Sequence, residues 1–353
     1  MMVRLKDICD VDWGDTNLTK QAYVENGKYL GVSAGGCDGR MDYYDFEAYT
    51  PVISAIGANC GKMFLPEEPF VAIKNTITLK PHKDILGKYI FYALISNKIP
   101  HRGGGQPFIS KTDTEEYMII CPSLEEQVRI VTIFDKVCKI IDMHHNQLSK
   151  LDELVKSRFI ELFGLPVSNS KGWNTEKMRE VAPAANYSGG FEDTVWLLNL
   201  DMVEAKTGRI LDYLYVNEEE VGNSTCTFDT TNVLYSKLRP YLNKVVIPDR
   251  CGYATSELIP LKPNPMKLER AYLAFMLRSD EFVNMINEKV AGAKMPRVSM
   301  SDFREFDVPV PPMELQQQFV AFVEQTDKSK FEIKKSLAKL EILKKSLMQQ
   351  YFG

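Results

Sequence analysis

The 353-residue sequence has no CxxC pair, no HExxH, and no apolar run approaching the ~18 to 20 residues that a bilayer span requires. Its seven cysteines (Cys9, Cys37, Cys60, Cys121, Cys138, Cys226 and Cys251) are odd in number and widely scattered. This argues against a disulfide framework, and reduced, mostly buried thiols are expected. The four histidines, His82, His101, His144 and His145, show no ligand spacing, so no metal site is expected. GxGxxG after a strand, GxxxxGK[ST] and GxSxG are all missing. Gly103–Gly105 lack a following Lys-Ser/Thr and read as a loop, not a phosphate cradle. No carboxylate is spaced with a histidine or second acid for proton transfer, which leaves no catalytic residue and no bound cofactor to name. Positive charge is not in surplus either, since 43 Lys and Arg against 47 Asp and Glu leave −4. DNA affinity, if present, must come from local clusters. The opening MMVRLKDICDVDW is charged where a secretory signal is apolar, so a cytoplasmic protein without a membrane segment is expected.

What is present is an ordinary globular composition, 44% hydrophobic and 25% charged, long enough for two cores and unlike a disordered chain. The main organising signal is an internal repeat. Residues 103–164 align without a gap onto 292–353, with 18 identities in 62 positions. They include Pro107/Pro296, Ser110/Ser299, Asp113/Asp302, Pro122/Pro311, Gln127/Gln316, Phe163/Phe352 and Gly164/Gly353. Upstream, PVISAIGANCGKMFLPEE matches NVLYSKLRPYLNKVVIPD end to end, and both copies reach an LKP, at Leu79 and at Leu261. The chain is two copies of one plan, a mixed module followed by a long helix.

Each module mixes β-branched and aromatic runs with Gly, Pro and Asn breaks, which predicts short irregular strands. Helices over 86–97 and 268–289 are interleaved with them, giving a compact α+β module. The long helices are clearer. Each begins after a proline with acids in its first turn, and apolar residues then recur at spacings of three and four. Ile130, Phe134, Val137, Ile141, Leu148 and Phe159 mark the first, and Phe319, Phe322, Ile333, Leu337, Leu340 and Leu347 the second. That spacing is a coiled-coil seam. Two like helices in one chain pack most simply antiparallel about a pseudo-twofold, with His144 facing Ile333. The expected divisions are 1–121, a first helix over 122–164, a second module over 165–311, and a second helix over 312–353.

Basic and amide residues recur near strand ends. The first module has Asn59, Lys62, Lys74, Asn75 and Lys111; the second has Lys206, Arg209, Lys237, Arg239, Asn243, Lys244, Lys294 and Arg297. Arg and Lys bind phosphate or guanine, and Asn can read adenine, so these are the candidate DNA contacts.

With these features the sequence resembles the specificity (S) subunit of type I restriction-modification systems. The carriers are the duplicated plan, Gly103–Ser110 (GGGQPFIS) with its twin at 292–299, the P-x-x-E-x-Q entries at Pro122 and Pro311, and SKLRPYLNKVVIP over 236–248. The likeness spans essentially the whole chain and is specific only in combination. At 353 residues the chain is shorter than many such subunits. The resemblance implies two target-recognition domains, each reading half of a split sequence in double-stranded DNA, separated by an antiparallel pair of helices that set the spacer. It also implies two modification (methyltransferase) subunits that use S-adenosylmethionine, and restriction subunits that use ATP and Mg, with no catalysis in this chain. The rival reading is a coiled-coil protein-interaction scaffold without DNA specificity.

Overall fold

The computed structural model describes residues 1–191, 193–291 and 295–353. Two helices of 40 residues each, Leu124–Phe163 and Met313–Phe352, match the apolar seam read from the sequence. At the first entry Ser123 Oγ accepts the Glu126 N–H at 3.4 Å. At the exit Gly164, at φ 76°, takes the left-handed cap that most other residues avoid. The chain divides into two compact units that cut across both long helices. Residues Met1–Asn146 with Ile333–Gly353 form one, and Gln147–Glu332 the other. Each unit thus holds one module and half of each long helix.

In the first unit the helix halves run antiparallel. Phe134 lies 5.6 Å from Phe352 between ring centroids, and further along His144 Nε2 lies 3.1 Å from Ser336 Oγ. His144 therefore meets Ser336, three residues beyond the expected Ile333. The module is built on a four-stranded antiparallel sheet in the order Cys9–Trp13, Thr76–Pro81, Val52–Ser54, Met63–Phe64. A second sheet orders Gly36–Met41, Tyr29–Ser33 and Phe70–Ala72, the last pair parallel. The helix Gly87–Ser96 covers the first sheet, and its Tyr89 is fully buried with Ile77, Leu79, Phe134 and Phe352. Burying each large apolar side chain contributes roughly 1.5–3 kcal/mol, which holds the helix ends against the module.

The second unit repeats this plan. Phe159 and Phe163 pack on Phe319 at 5.4 and 5.5 Å, and Lys330 Nζ pairs with Asp152 at 2.6 Å. The sheet Val245–Val246, Val233–Ser236, Leu258–Leu261 corresponds to the core of the first module's larger sheet. Thr194–Leu198 again pairs parallel with Gly252–Thr255, flanked here by Leu214–Asn217 and Thr225–Phe228. The hydrogen bonds equate Ser54 with Ser236, an offset one residue beyond the end-to-end match of the two stretches. The helix expected over 268–289 is broken into Arg270–Arg278 and Asp280–Asn287. Ser279 turns extended at φ −60°, ψ 143° and caps the Phe282 N–H, which starts a new helix.

All seven cysteines are free thiols, but only Cys9 is buried, and Cys37 and Cys251 are exposed. The expectation of mostly buried thiols is corrected: Cys37, on the strand Gly36–Met41, and Cys251, just before the strand Gly252–Thr255, both lie at the surface. Among the described residues, no helix is long and apolar enough to cross a membrane.

Candidate nucleic-acid interface

Four backbone hydrogen bonds gather the predicted residues of the first module around Ser54–Gly57. The Ser54 N–H donates to the Lys62 carbonyl (2.9 Å), Ala55 to Asn75 (2.9 Å), Gly57 to Pro107 (2.8 Å), and Ile109 back to Ala55 (2.8 Å). The loop 57–62, the turn at 74–75 and the hairpin 102–108 therefore converge on one strand end. Arg102 and Phe108 exchange both backbone bonds, at 2.8 and 2.9 Å, so the glycine-rich tip is a pinned hairpin. Asn59, Lys62, Lys74 and Asn75 are all exposed there. Lys62 Nζ sits 5.5 Å above the Phe64 ring, and Phe108 presents an exposed ring on the hairpin. Lys111 is committed elsewhere: its ammonium contacts Asp12 at 2.8 Å and Glu115 at 3.8 Å.

The second module builds the same grid with other side chains. Ser236 donates to Lys244 (3.0 Å), Lys237 to Glu257 (3.0 Å), Arg239 to Pro296 (2.8 Å), and Val298 to Lys237 (2.9 Å). The Lys206 N–H reaches Leu242 and Asn243 carbonyls at 3.0 and 3.1 Å, which adds its turn to the cluster. Lys206, Arg239 and Arg297 are exposed and Lys237 half-buried. Arg297 is paired with Glu257 through Nη2 at 2.8 Å. The hydrogen bond from Arg297, helped by the nearby charge of Lys237, holds the Glu257 carboxyl below its ordinary range despite partial burial.

Two candidates of this module point away from solvent, and a third is exposed but already paired. Asn243 is buried and its amide donates to the Arg278 carbonyl at 2.8 Å. Lys244 Nζ donates to the Leu200 carbonyl at 2.6 Å, and burial lowers its pKa. Arg209 pairs with Glu204 at 2.9 Å within its own turn. The first two are corrected to internal supports of the loop, because buried polar groups must be spent on internal partners. Lys294 lies outside the described residues.

Sequence reasoning passed over Glu257, which organises two cations, and the exposed Tyr241. The signal was available: at the structural offset, Glu257 stands where the first module has Asn75, and Tyr241 where it has Asn59.

Two strand-end platforms, both presenting cations and the first also amides, over a shared backbone grid, suit the groove of a duplex. A model of the type I restriction modification DNA specificity domain matches residues 1–153 and 203–344. The chain belongs to that family. Its role is DNA sequence recognition within a type I restriction-modification complex, as a non-catalytic specificity chain. This decides against a scaffold without DNA specificity.

The specificity chain is 21% identical to the specificity subunit of the type I restriction enzyme EcoDI from Escherichia coli, across 97% of this chain and 88% of that one. It is 23% identical to the MjaVIII specificity subunit of Methanocaldococcus jannaschii, across 83% and 75%. In fold it is similar to the crystal structure of the S subunit of a type I system from M. genitalium. The TM-score is 0.63 at 18% identity, covering 100% of this chain and 96% of that chain. A chain from a structural study of assembly and conformational transition in a type I system gives a TM-score of 0.60 at 15% identity, covering 99% and 97%.

Proposed function

We propose that each module of the specificity chain reads one half of a bipartite duplex site, through the loops gathered at Ser54–Gly57 and at Ser236–Arg239. The observation that carries this reading is the duplicated hydrogen-bond grid with unlike side chains on it: one scaffold, two base preferences. Lys62, Lys74, Lys206 and Arg239 supply phosphate or base contacts, and Asn59 and Asn75 supply amide contacts. The long helices set the spacer between half-sites and dock two modification subunits. Those subunits bring S-adenosylmethionine, and restriction subunits bring ATP and Mg; the specificity chain itself acts in the cytoplasm and holds none of these groups.

Exchange of residues 165–311 for the second module of another specificity chain tests the reading. Methylated-base mapping of the assembled complex should show one half-site changed and the other intact. A change in both halves with assembly preserved would mean that the modules do not read independently.

A further inference from the structure

Within the strand-end cluster of the second module, the Arg297 side chain is oriented before any ligand arrives. Its backbone bridges Leu238, and the neighbouring bonds Arg239 to Pro296 and Val298 to Lys237, at 2.8 and 2.9 Å, pin it on both sides. Glu257 is anchored to the same segment through the bond from Lys237 to its carbonyl, at 3.0 Å. The two side chains then meet edge to edge. Arg297 Nε lies 3.2 and 3.3 Å from the two carboxylate oxygens, and Nη2 lies 2.8 Å from Oε1. The carboxylate takes the Nε side of the guanidinium and leaves the Nη1/Nη2 edge for a second partner.

Exposure supports an outward partner, because the Arg297 side chain is 46% exposed and that of Glu257 only 21%. A phosphate is a poor candidate for that edge, since the adjacent carboxylate repels it. A neutral edge with two acceptors suits it better. In the major groove guanine offers O6 and N7 to an arginine fork, while the paired cytosine offers an N4 amine to a carboxylate. One arginine and one glutamate side by side present that complementary set. The first module has Phe108 and Asn75 at the corresponding positions, so it carries no such pair.

We propose that Arg297 and Glu257 together read one guanine–cytosine base pair in the half-site bound by the second module. Arg297 donates to guanine O6 and N7; Glu257 acts as the positioning residue for the guanidinium and accepts from the cytosine N4 amine. This rests on the reading of the modules as half-site readers given above.

The test uses the assembled complex with duplexes randomised across both half-sites, read by methylated-base mapping and by binding titrations at several salt concentrations. The wild-type second half-site should contain an invariant guanine–cytosine pair. Arg297→Ala should weaken binding to that site about 5- to 150-fold and relax that one position only. Arg297→Lys should not restore it, because an ammonium cannot form the fork. Glu257→Gln should relax the same position while the rest of the second half-site and the whole first half-site stay unchanged, which a merely structural role would not produce. Should Glu257→Gln fail to fold, the two exposed Arg297 variants decide alone. Uniform weakening of all sequences by Arg297→Ala, with the salt slope reduced by about one charge, would identify a phosphate contact and overturn the proposal. Unchanged discrimination at every position would overturn it too. A wild-type complex without preference at either half-site would instead remove the half-site reading beneath it.

Discussion

The Arg239 N–H donates to the Pro296 carbonyl at 2.8 Å, and Gly57 makes the corresponding bond to Pro107 at the same length. Both donors are left-handed, Gly57 at φ 83° and Arg239 at φ 49°. Glycine adopts that conformation freely, whereas another residue loses about 1–2 kcal/mol there. The second module thus keeps an arginine where the backbone favours glycine, as expected of a side chain retained for contact with a ligand.

Arg239→Gly should stabilise the chain by about 0.5–1 kcal/mol, after allowance for the greater freedom of glycine when unfolded. It should also reduce the salt slope of DNA binding by about 0.9. Chemical denaturation and salt titration measure the two effects separately. Stabilisation without a weaker complex would remove Arg239 from the interface.

Gln127 and Gln316 are nearly inaccessible and tie the long helices to the modules. Gln127 Oε1 accepts the Leu86 N–H at 3.0 Å, and its amide donates to Pro122 at 3.1 Å. Gln316 accepts from Glu269 and donates to Lys267 and Pro311, each at 2.8 Å. Leucine at either site strands these backbone groups in the interior. A loss of about 2–4 kcal/mol is expected in urea denaturation of either variant, against near-neutral change for an exposed glutamine such as Gln349→Leu.

Glu257 should titrate below the ordinary value of 4.5 because Arg297 hydrogen-bonds its carboxylate. A folded pKa below the unfolded one gives stability that is present above the unfolded value and lost as pH falls through the folded value. Carboxyl NMR should therefore show an acid-shifted midpoint in the wild type, moving upward in Arg297→Ala. An unmoved midpoint would mean that the pair does not persist in solution.

Thiol reactivity should follow burial. Burial pushes the Cys9 thiol up to about 12 and Cys226 up to about 11, while Cys251 is exposed. Under native conditions a thiol reagent at mildly alkaline pH should label Cys251 early and Cys9 only after unfolding. Mass spectrometry of peptides over a time course gives the order.

Seven residues inserted after Asn146 and seven after Glu332 fall at the division between units and keep the apolar seam in phase. Each helix lengthens by about 10.5 Å, equal to about 3 base pairs of duplex at most. The spacer in the methylated sequence should grow accordingly. An unchanged spacer in an active complex would leave the helices a bracing role alone.

The two-copy plan and the long helices with their proline-led entries were legible in the sequence, because heptad spacing and helix-start signals are local patterns that survive in any context. The break at Ser279 was not, since a single residue turning extended leaves the apolar periodicity on either side intact. Among the site residues, Lys62, Lys74 and Arg239 lie at the surface where their placement near strand ends suggested. Asn243 and Lys244 adjoin Arg239 in a basic segment and looked no different, yet their side chains end on Arg278 and Leu200. Those partners come from 35 and 44 residues away, and Glu257 finds Arg297 across 40. Composition determined that cations were available; only the folded chain decided which of them faced solvent, because each donor's commitment depends on carbonyls and carboxylates that tertiary packing brings within 3 Å.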